Sequence, residues 1–219
     1  MIRSILGVLA AYLIGSLPWA LWVGGIARGV DVREHGSGNL GATNVYRVLG
    51  PPLGLLVFAL DAAKGALGVV VCAAIAGDSF PGGRAGAGLA GAVAAVLGHM
   101  FTAFAGFRGG KGAATTAGAL LAVAPIASLF GLSAFVIAFV VSRRISVGSI
   151  SAAVVMSVAL WFVPVARTDR ATAVVGTLVA LLVIVRHAPN IGRLLRGEEP
   201  AFQLRRARTG AASKREEHR

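Results

Sequence analysis

Hydropathy constrains this chain before anything else does. Apolar runs at residues 4–26, 53–76, 84–105, 117–141, 150–165 and 171–185 occupy most of its 219 residues. The longer runs match the ~20 residues that a helix needs to cross a hydrocarbon core of ~30 Å. Backbone in that core must satisfy its own N–H and C=O groups, so helix is the one local structure open to such runs. Only 14% of the residues are charged, where a soluble domain carries about a quarter, and the mean hydropathy is +0.78. The chain therefore reads as an all-α integral membrane protein. Its first run is long enough to stay as a span rather than be removed as a signal. Residues 1–200 read as a single membrane-embedded domain, and 201–219 as a basic, mobile cytoplasmic tail.

Orientation follows from the positive charges. With the N-terminus outside, the loop holding Arg28, Arg33 and Arg47 faces the cytoplasm, as does the loop holding Arg108 and Lys111. A single crossing over 117–141 would put Arg143, Arg144, Arg193, Arg196 and the tail's six basic residues outside. Two full crossings are excluded as well, because this run gives about 37 Å of helix at 1.5 Å per residue. The expectation is two short helices bent near Pro125 or Gly131, packed within protein where broken backbone is tolerated. That makes about seven transmembrane helical segments, with the C-terminus cytoplasmic. Four polar segments, around Ser37, Lys111, Ser149 and His187, then converge on one membrane face.

A net charge of +12, carried in loops and tail, suits anionic lipid head groups or anionic substrates. Nucleic acid is disfavoured, since no soluble domain presents the charge. Cys72 is the single cysteine and His35, His99, His187 and His218 lack metal-ligand spacing, so neither a disulfide framework nor a metal cluster is expected. The most chemically loaded stretch is Gly109-Gly110-Lys111-Gly112, followed by small residues that start a helix. Glycines let several backbone N–H groups turn into one concavity beside a lysine and a helix N-terminus, which makes an anion site. A plain inter-helix turn is the alternative. A nucleotide P-loop is excluded: Gly112 follows the lysine where Ser or Thr would bind magnesium, and Ala105 stands where the first glycine belongs.

Asp61 and Lys64 lie three apart on one helix face and would be costly in a membrane unless paired, so they read as a structural ion pair. His99 reads as a hydrogen-bonded helix-end histidine or a support for the site. The acyltransferase signature His-x4-Asp is absent, since Leu40, Phe104 and Gly192 follow His35, His99 and His187 at that distance. A carrier for organic phosphates would place its site at the bilayer midplane and show internal repeats. The sequence shows none.

Three long motifs occur in order. They are Gly36-Ser37-Gly38-Asn39-Leu40-Gly41-Ala42-Thr43-Asn44-Val45-Tyr46-Arg47, then Gly98-His99-Met100-Phe101 through Gly109-Gly110-Lys111-Gly112-Ala113-Ala114-Thr115, then His187-Ala188-Pro189-Asn190-Ile191-Gly192-Arg193-Leu194-Leu195-Arg196-Gly197-Glu198-Glu199. Together with Asp61-Ala62-Ala63-Lys64-Gly65 and Ser146-Val147-Gly148-Ser149, they resemble the bacterial acyl-phosphate:glycerol-3-phosphate acyltransferases over nearly the whole chain to about residue 200. Thr102 stands where members often have proline, and Arg108 where lysine is common. The resemblance implies a multi-pass enzyme of the bacterial inner membrane with its active site on the cytoplasmic face. It would move an acyl group from acyl phosphate to the 1-hydroxyl of sn-glycerol 3-phosphate, giving lysophosphatidic acid and phosphate. No metal or other cofactor is implied. Partners would be the two substrates, membrane lipids and the soluble enzyme that makes acyl phosphate.

Carried onto this sequence, Lys111 with the backbone of Gly109, Gly110 and Gly112 would hold the leaving phosphate. Ser149 would donate to the same phosphate, or else cap its helix. Ser37, Arg47, His187 and Asn190 would form the glycerol-phosphate side, with Asn39, Thr43 and Asn44 beside them shaping the first loop through local hydrogen bonds. Two bases stay open: a substrate phosphate acting on the hydroxyl proton, and His187.

Overall fold

The computed structural model describes residues 1–162 and 169–202, and all the regular structure within them is helical. The helices are Ile2–Gly15 (α1), Trp19–Arg28 (α2), Ala42–Leu49 (α3), Pro51–Ala76 (α4), Gly83–Met100 (α5), Ala113–Val123 (α6), Pro125–Ser142 (α7), Ile145–Phe162 (α8), Arg170–Arg186 (α9) and Ala188–Leu195 (α10). Five segments are long and apolar enough to cross a membrane: Ile2–Arg28, Pro51–Ser79, Gly83–Ala105, α7 and α8. α9 qualifies together with α10, from which it is bent by 54°, and α6 is a shorter apolar helix. All seven expected apolar segments are thus helical.

α4 is the central post, packed by α1, α3, α5 and α6, while α7 packs on α8 and α8 on α9. The crossing of α4 and α6 is very close. A Cβ added at Gly65 would lie 2.1 Å from the Thr115 carbonyl oxygen, and one at Gly118 would lie 1.9 Å from that of Ala62. Small residues permit this approach in a bilayer, where apolar burial gives helices little reason to associate. The crossing fixes where α6 begins, and so where the glycine-lysine loop ends.

Four boundaries differ from the sequence reading. The first span is not one helix. It breaks at Ser16-Leu17-Pro18, because proline has no N–H to continue the ladder. The carbonyls at the break find side-chain donors instead: Lys64 Nζ reaches Leu17 O at 2.8 Å, and the Thr102 hydroxyl donates to Ser16 O. A proline at 102 could not make that bond. The third span ends its α-helix at Met100, with one 3-10 turn at Ala103–Ala105. The stretch expected as two short helices is one short and one long, broken at Ala124 with Pro125 opening α7; Gly131 lies inside α7. Finally α8 starts at Ile145, so Ser149 lies inside that helix and does not cap it. The expected ends of the 150–165 span and of the 201–219 tail fall outside the described residues.

The two eight-residue helices α3 and α10 lie within segments read as loops. Lys111 before α6 and Arg143–Arg144 after α7 both bond to the 190–202 segment. The α6–α7 pair therefore leaves one face and returns to it.

Candidate active site

The glycine-lysine loop is a hairpin folded back on the end of α5. Gly109 N–H donates to Met100 O and Gly110 N–H to His99 O, each at 3.1 Å. These two amides are spent on the fold and are not free to hold a phosphate, a correction to the expected role of Gly109 and Gly110. Free donors begin one residue later. Gly112 takes φ +83°, the left-handed turn that glycine adopts without strain. The N–H groups of Lys111, Gly112, Ala113 and Ala114 meet no acceptor among the described residues. They point the positive end of α6 at the space beside Lys111.

Lys111 Nζ donates to Asn190 Oδ1, joining the second polar segment to the fourth. Asn190 Nδ2 donates onward to Glu199 Oε1 at 2.6 Å. Glu199, only 4% exposed, is a hub: Ser146 Oγ also donates to Oε1 at 2.7 Å, and Arg193 Nε donates to Oε2 at 2.7 Å. Burial alone would raise the Glu199 carboxyl, but the bonds from Ser146, Asn190 and Arg193 hold it below the usual carboxylate range. The segment after α10 thus straps the site together. Arg144 Nε reaches Glu199 O at 3.0 Å, Phe202 N–H donates to Arg143 O at 2.6 Å, and the Phe202 ring stacks on Tyr46 at 4.3 Å. The sequence reading gave Glu199 and Ser146 no role beyond their motifs.

Positive charge surrounds this hub. Arg186 Nη2 donates to Gly110 O at 3.1 Å, and its Nε is buried without a partner among the described residues, as are the Thr115 and Thr116 hydroxyls in the first turn of α6. Burial pushes the Lys111 ammonium down to about 8; Glu199 opposes this, while Arg193, Arg47 and Arg186 add to it. Among the described residues, Lys111 and three arginines therefore meet at one spot with Glu199 as the carboxylate that acts on it. His187, 4% exposed at the α9–α10 corner, places Nδ1 2.8 Å from Val183 O. An N–H there donates to the carbonyl and leaves Nε2 as the open acceptor. Lys111 and Glu199 both act electrostatically on this ring.

The first polar segment meets the second at Gly110, where Leu40 O would stand 2.7 Å from an added Cβ. Asn44 is fully committed to that segment. Its Oδ1 accepts from Ser37 N–H at 2.7 Å and Ser37 Oγ at 3.1 Å, and its Nδ2 donates to Val32 O and His35 O. With both lone pairs and both protons used, Asn44 shapes the loop and is not placed to touch substrate. Ser37 is exposed on the same loop, and no bond joins it to Lys111 among the described residues. Asn39 and Thr43 are half-buried near the start of α3, and Arg47 is exposed at its end. Ser149 is buried one turn after Ser146, on the same side of α8. The structure thus bonds Lys111 to Asn190 and sets Arg47 and His187 within electrostatic reach of Lys111, while the bonds of Ser37 run to Asn44.

A sequence profile described as glycerol-3-phosphate acyltransferase matches residues 5–197. The chain is 41% identical over 208 residues to the glycerol-3-phosphate acyltransferase of Synechococcus elongatus, covering 94% of this chain and 98% of that one. Two crystal structures of PlsY (YgiH), described as an integral membrane glycerol 3-phosphate acyltransferase, superpose on it. The glycerol 3-phosphate form gives a TM-score of 0.78 at 37% identity, covering 91% of this chain and 96% of that one. The lysophosphatidic acid form gives 0.79 at 36%, covering 91% and 95%. With a match that spans all three polar motifs and a fold shared at this identity, the chain belongs to the glycerol-3-phosphate acyltransferases, the integral membrane enzymes of the PlsY family.

Proposed function

We propose that this enzyme transfers an acyl group from acyl phosphate to the 1-hydroxyl of sn-glycerol 3-phosphate, releasing 1-acyl-sn-glycerol 3-phosphate and phosphate at the cytoplasmic face of the bacterial inner membrane. The observation that carries this reading is the charge imbalance at Lys111. Among the described residues, Arg47, Arg186, Arg193 and Lys111 face Glu199 as the one carboxylate acting there, so a surplus of about three positive charges awaits anions. Two phosphate-bearing substrates supply them. The crystal forms of PlsY with glycerol 3-phosphate and with lysophosphatidic acid support the acceptor and the product.

In the reaction the 1-hydroxyl oxygen attacks the acyl carbonyl carbon, and the bond from that carbon to the phosphate oxygen breaks. Acyl phosphate is a mixed anhydride with a good leaving group, so positioning and charge neutralisation carry most of the work. Lys111, with the free N–H groups opening α6, neutralises the departing phosphate, and Ser149, buried on α8, donates to the same phosphate. Arg47 binds the glycerol phosphate as a charge-assisted pair, with Asn190, His187, Ser37, Asn39 and Thr43 orienting it. The hydroxyl proton passes to a substrate phosphate, or in the second reading to the open Nε2 of His187.

Purified protein given glycerol 3-phosphate should make the lysophospholipid with acyl phosphate, and not with acyl-CoA or acyl-carrier protein. Turnover with acyl-CoA would overturn the donor assignment. For orientation, Arg108→Cys, Ser146→Cys and Gly197→Cys should be shielded from an impermeant thiol reagent in intact cells, and Gly82→Cys labelled. The reverse pattern would invert the protein in the membrane.

A further inference from the structure

We propose that the buried cluster of Asp61, Lys64 and His99 is the positioning support of the active site, setting the height of Gly110 and through it the reach of Lys111. The inference rests on the reading of Lys111 as the group that acts on the departing phosphate. Asp61, Lys64 and His99 are 2%, 4% and 5% exposed. Lys64 Nζ stands 2.8 Å from both Asp61 Oδ1 and Leu17 O. Asp61 Oδ1 is in turn 3.5 Å from His99 Nδ1. His99 turns its other nitrogen towards the catalytic loop: a Cβ on Gly110 would lie 2.1 Å from Nε2. The ring is thus packed flush beneath the α carbon of Gly110.

Gly110 is held on every side. Its N–H donates to His99 O, its carbonyl accepts from Arg186, and Leu40 closes over it. The next residue is Lys111. A structural duty explains Lys64, which satisfies the carbonyl left open by the break at Pro18. Asp61 answers the charge of that buried lysine, but neither duty calls for an imidazole beyond it, since an apolar ring of similar volume could fill the place of His99. A rigid polar chain from the helix break to Gly110 explains it. Each member is fixed by the next, so the loop cannot sink into the bundle or lift from it.

A residue that works through Lys111 must copy the kinetic signature of Lys111. His99→Ala, compared per mole of folded protein, should lower kcat by about 10–100-fold, the scale of a small misplacement of a catalytic group. The KM for glycerol 3-phosphate should move by less than about threefold. Gly110→Ala should cause a similar kcat loss, and in the double variant the two losses should not multiply, because both act at one contact. Multiplying losses, or a folded His99→Ala with kcat within about twofold of the parent, would overturn the proposal. If His99→Ala gives no folded protein, the ring-sized His99→Phe and the isosteric Asp61→Asn take its place, with the same kcat loss expected and the same near-parental kcat overturning the proposal. Lys111→Ala, run in parallel, separates the two ideas: full activity there would defeat the reading of Lys111 itself.

Discussion

This protein holds two lysine–carboxylate arrangements that differ in almost every respect except residue type. Around Lys64 every charge is answered from within. Its ammonium has the buried Asp61 and the Leu17 carbonyl as partners, and His99 completes the set. Around Lys111 the charges are left open. The carboxylate that acts on it, Glu199, is already engaged by Ser146, Asn190 and Arg193, and three arginines act on the same spot. A charge cluster whose members satisfy one another can only hold structure. A cluster with surplus cation and unused N–H donors is completed by something that arrives from outside. Sign and number of partners, more than burial, separate the structural lysine from the catalytic one.

The most direct challenge to this division is to delete each lysine in turn. Lys111→Ala should lower kcat by roughly 10²–10³, the ~3–4 kcal/mol lost with one charge-stabilising donor, and leave thermal unfolding in detergent nearly unchanged. Lys64→Ala should instead cost about 3–5 kcal/mol of stability, because it strands the buried Asp61 charge, and should lower kcat only by the smaller factor expected of a residue that acts through Lys111. An unfolding temperature that falls equally in both variants would erase the distinction.

Next in size is Arg47→Ala. It should raise the KM for glycerol 3-phosphate by about 10–100-fold, the ~1.5–3 kcal/mol of a hydrogen bond to a charged group, and disturb the acyl donor's KM less. Equal rises for both substrates would mean that the surplus charge acts as one diffuse field and not as two phosphate sites.

Much of this division was legible in the sequence. Asp61 and Lys64 stand three apart in an apolar run, which forces pairing on one helix face. The glycine-lysine loop and its cationic surroundings follow from local composition, and the return of the 117–141 stretch to its starting face follows from the positive-inside pattern, though which face is cytoplasmic stays part of the proposal. What local pattern could not carry was long-range. Glu199 bonds to Ser146 across 53 residues and Lys111 to Asn190 across 79, and no periodicity records such a pair. Gly109 and Gly110 likewise looked like free N–H donors, because nothing in their neighbours says that His99 and Met100 take those bonds. The helices α3 and α10 were missed for a related reason: eight residues of mixed polarity at an interface resemble loop.

A pH profile tests the open site in another way. Burial brings Lys111 down to about 8 in the free enzyme. Its charged form is the one that meets phosphate, so kcat/KM should be full below about pH 8 and fall as pH rises through that value. Glu199 opposes the downward shift, so Glu199→Gln should move the alkaline limb to lower pH, by up to about one unit. A limb that stays fixed in Glu199→Gln, with the protein folded, would separate Glu199 from Lys111 electrostatically.

The smallest expected change belongs to His187→Gln, and it decides where the proton goes. Nδ1 of His187 is committed to Val183 O, so only Nε2 could take the hydroxyl proton, and glutamine can donate a hydrogen bond there but cannot hold a proton. A general base contributes about 10²–10⁴ in rate. If a substrate phosphate takes the proton, His187→Gln should lose less than about tenfold, and no acid limb should vanish near pH 4, to which burial pushes the His187 imidazole down. The small loss is the expected outcome because a site already holding phosphate dianions against surplus cations carries its own base, better placed and more negative than a neutral imidazole. If His187→Gln is instead as inactive as Lys111→Ala while folded and binding glycerol 3-phosphate normally, the imidazole is the base. The open site would then supply proton transfer as well as charge, and the substrate would supply only the reacting atoms.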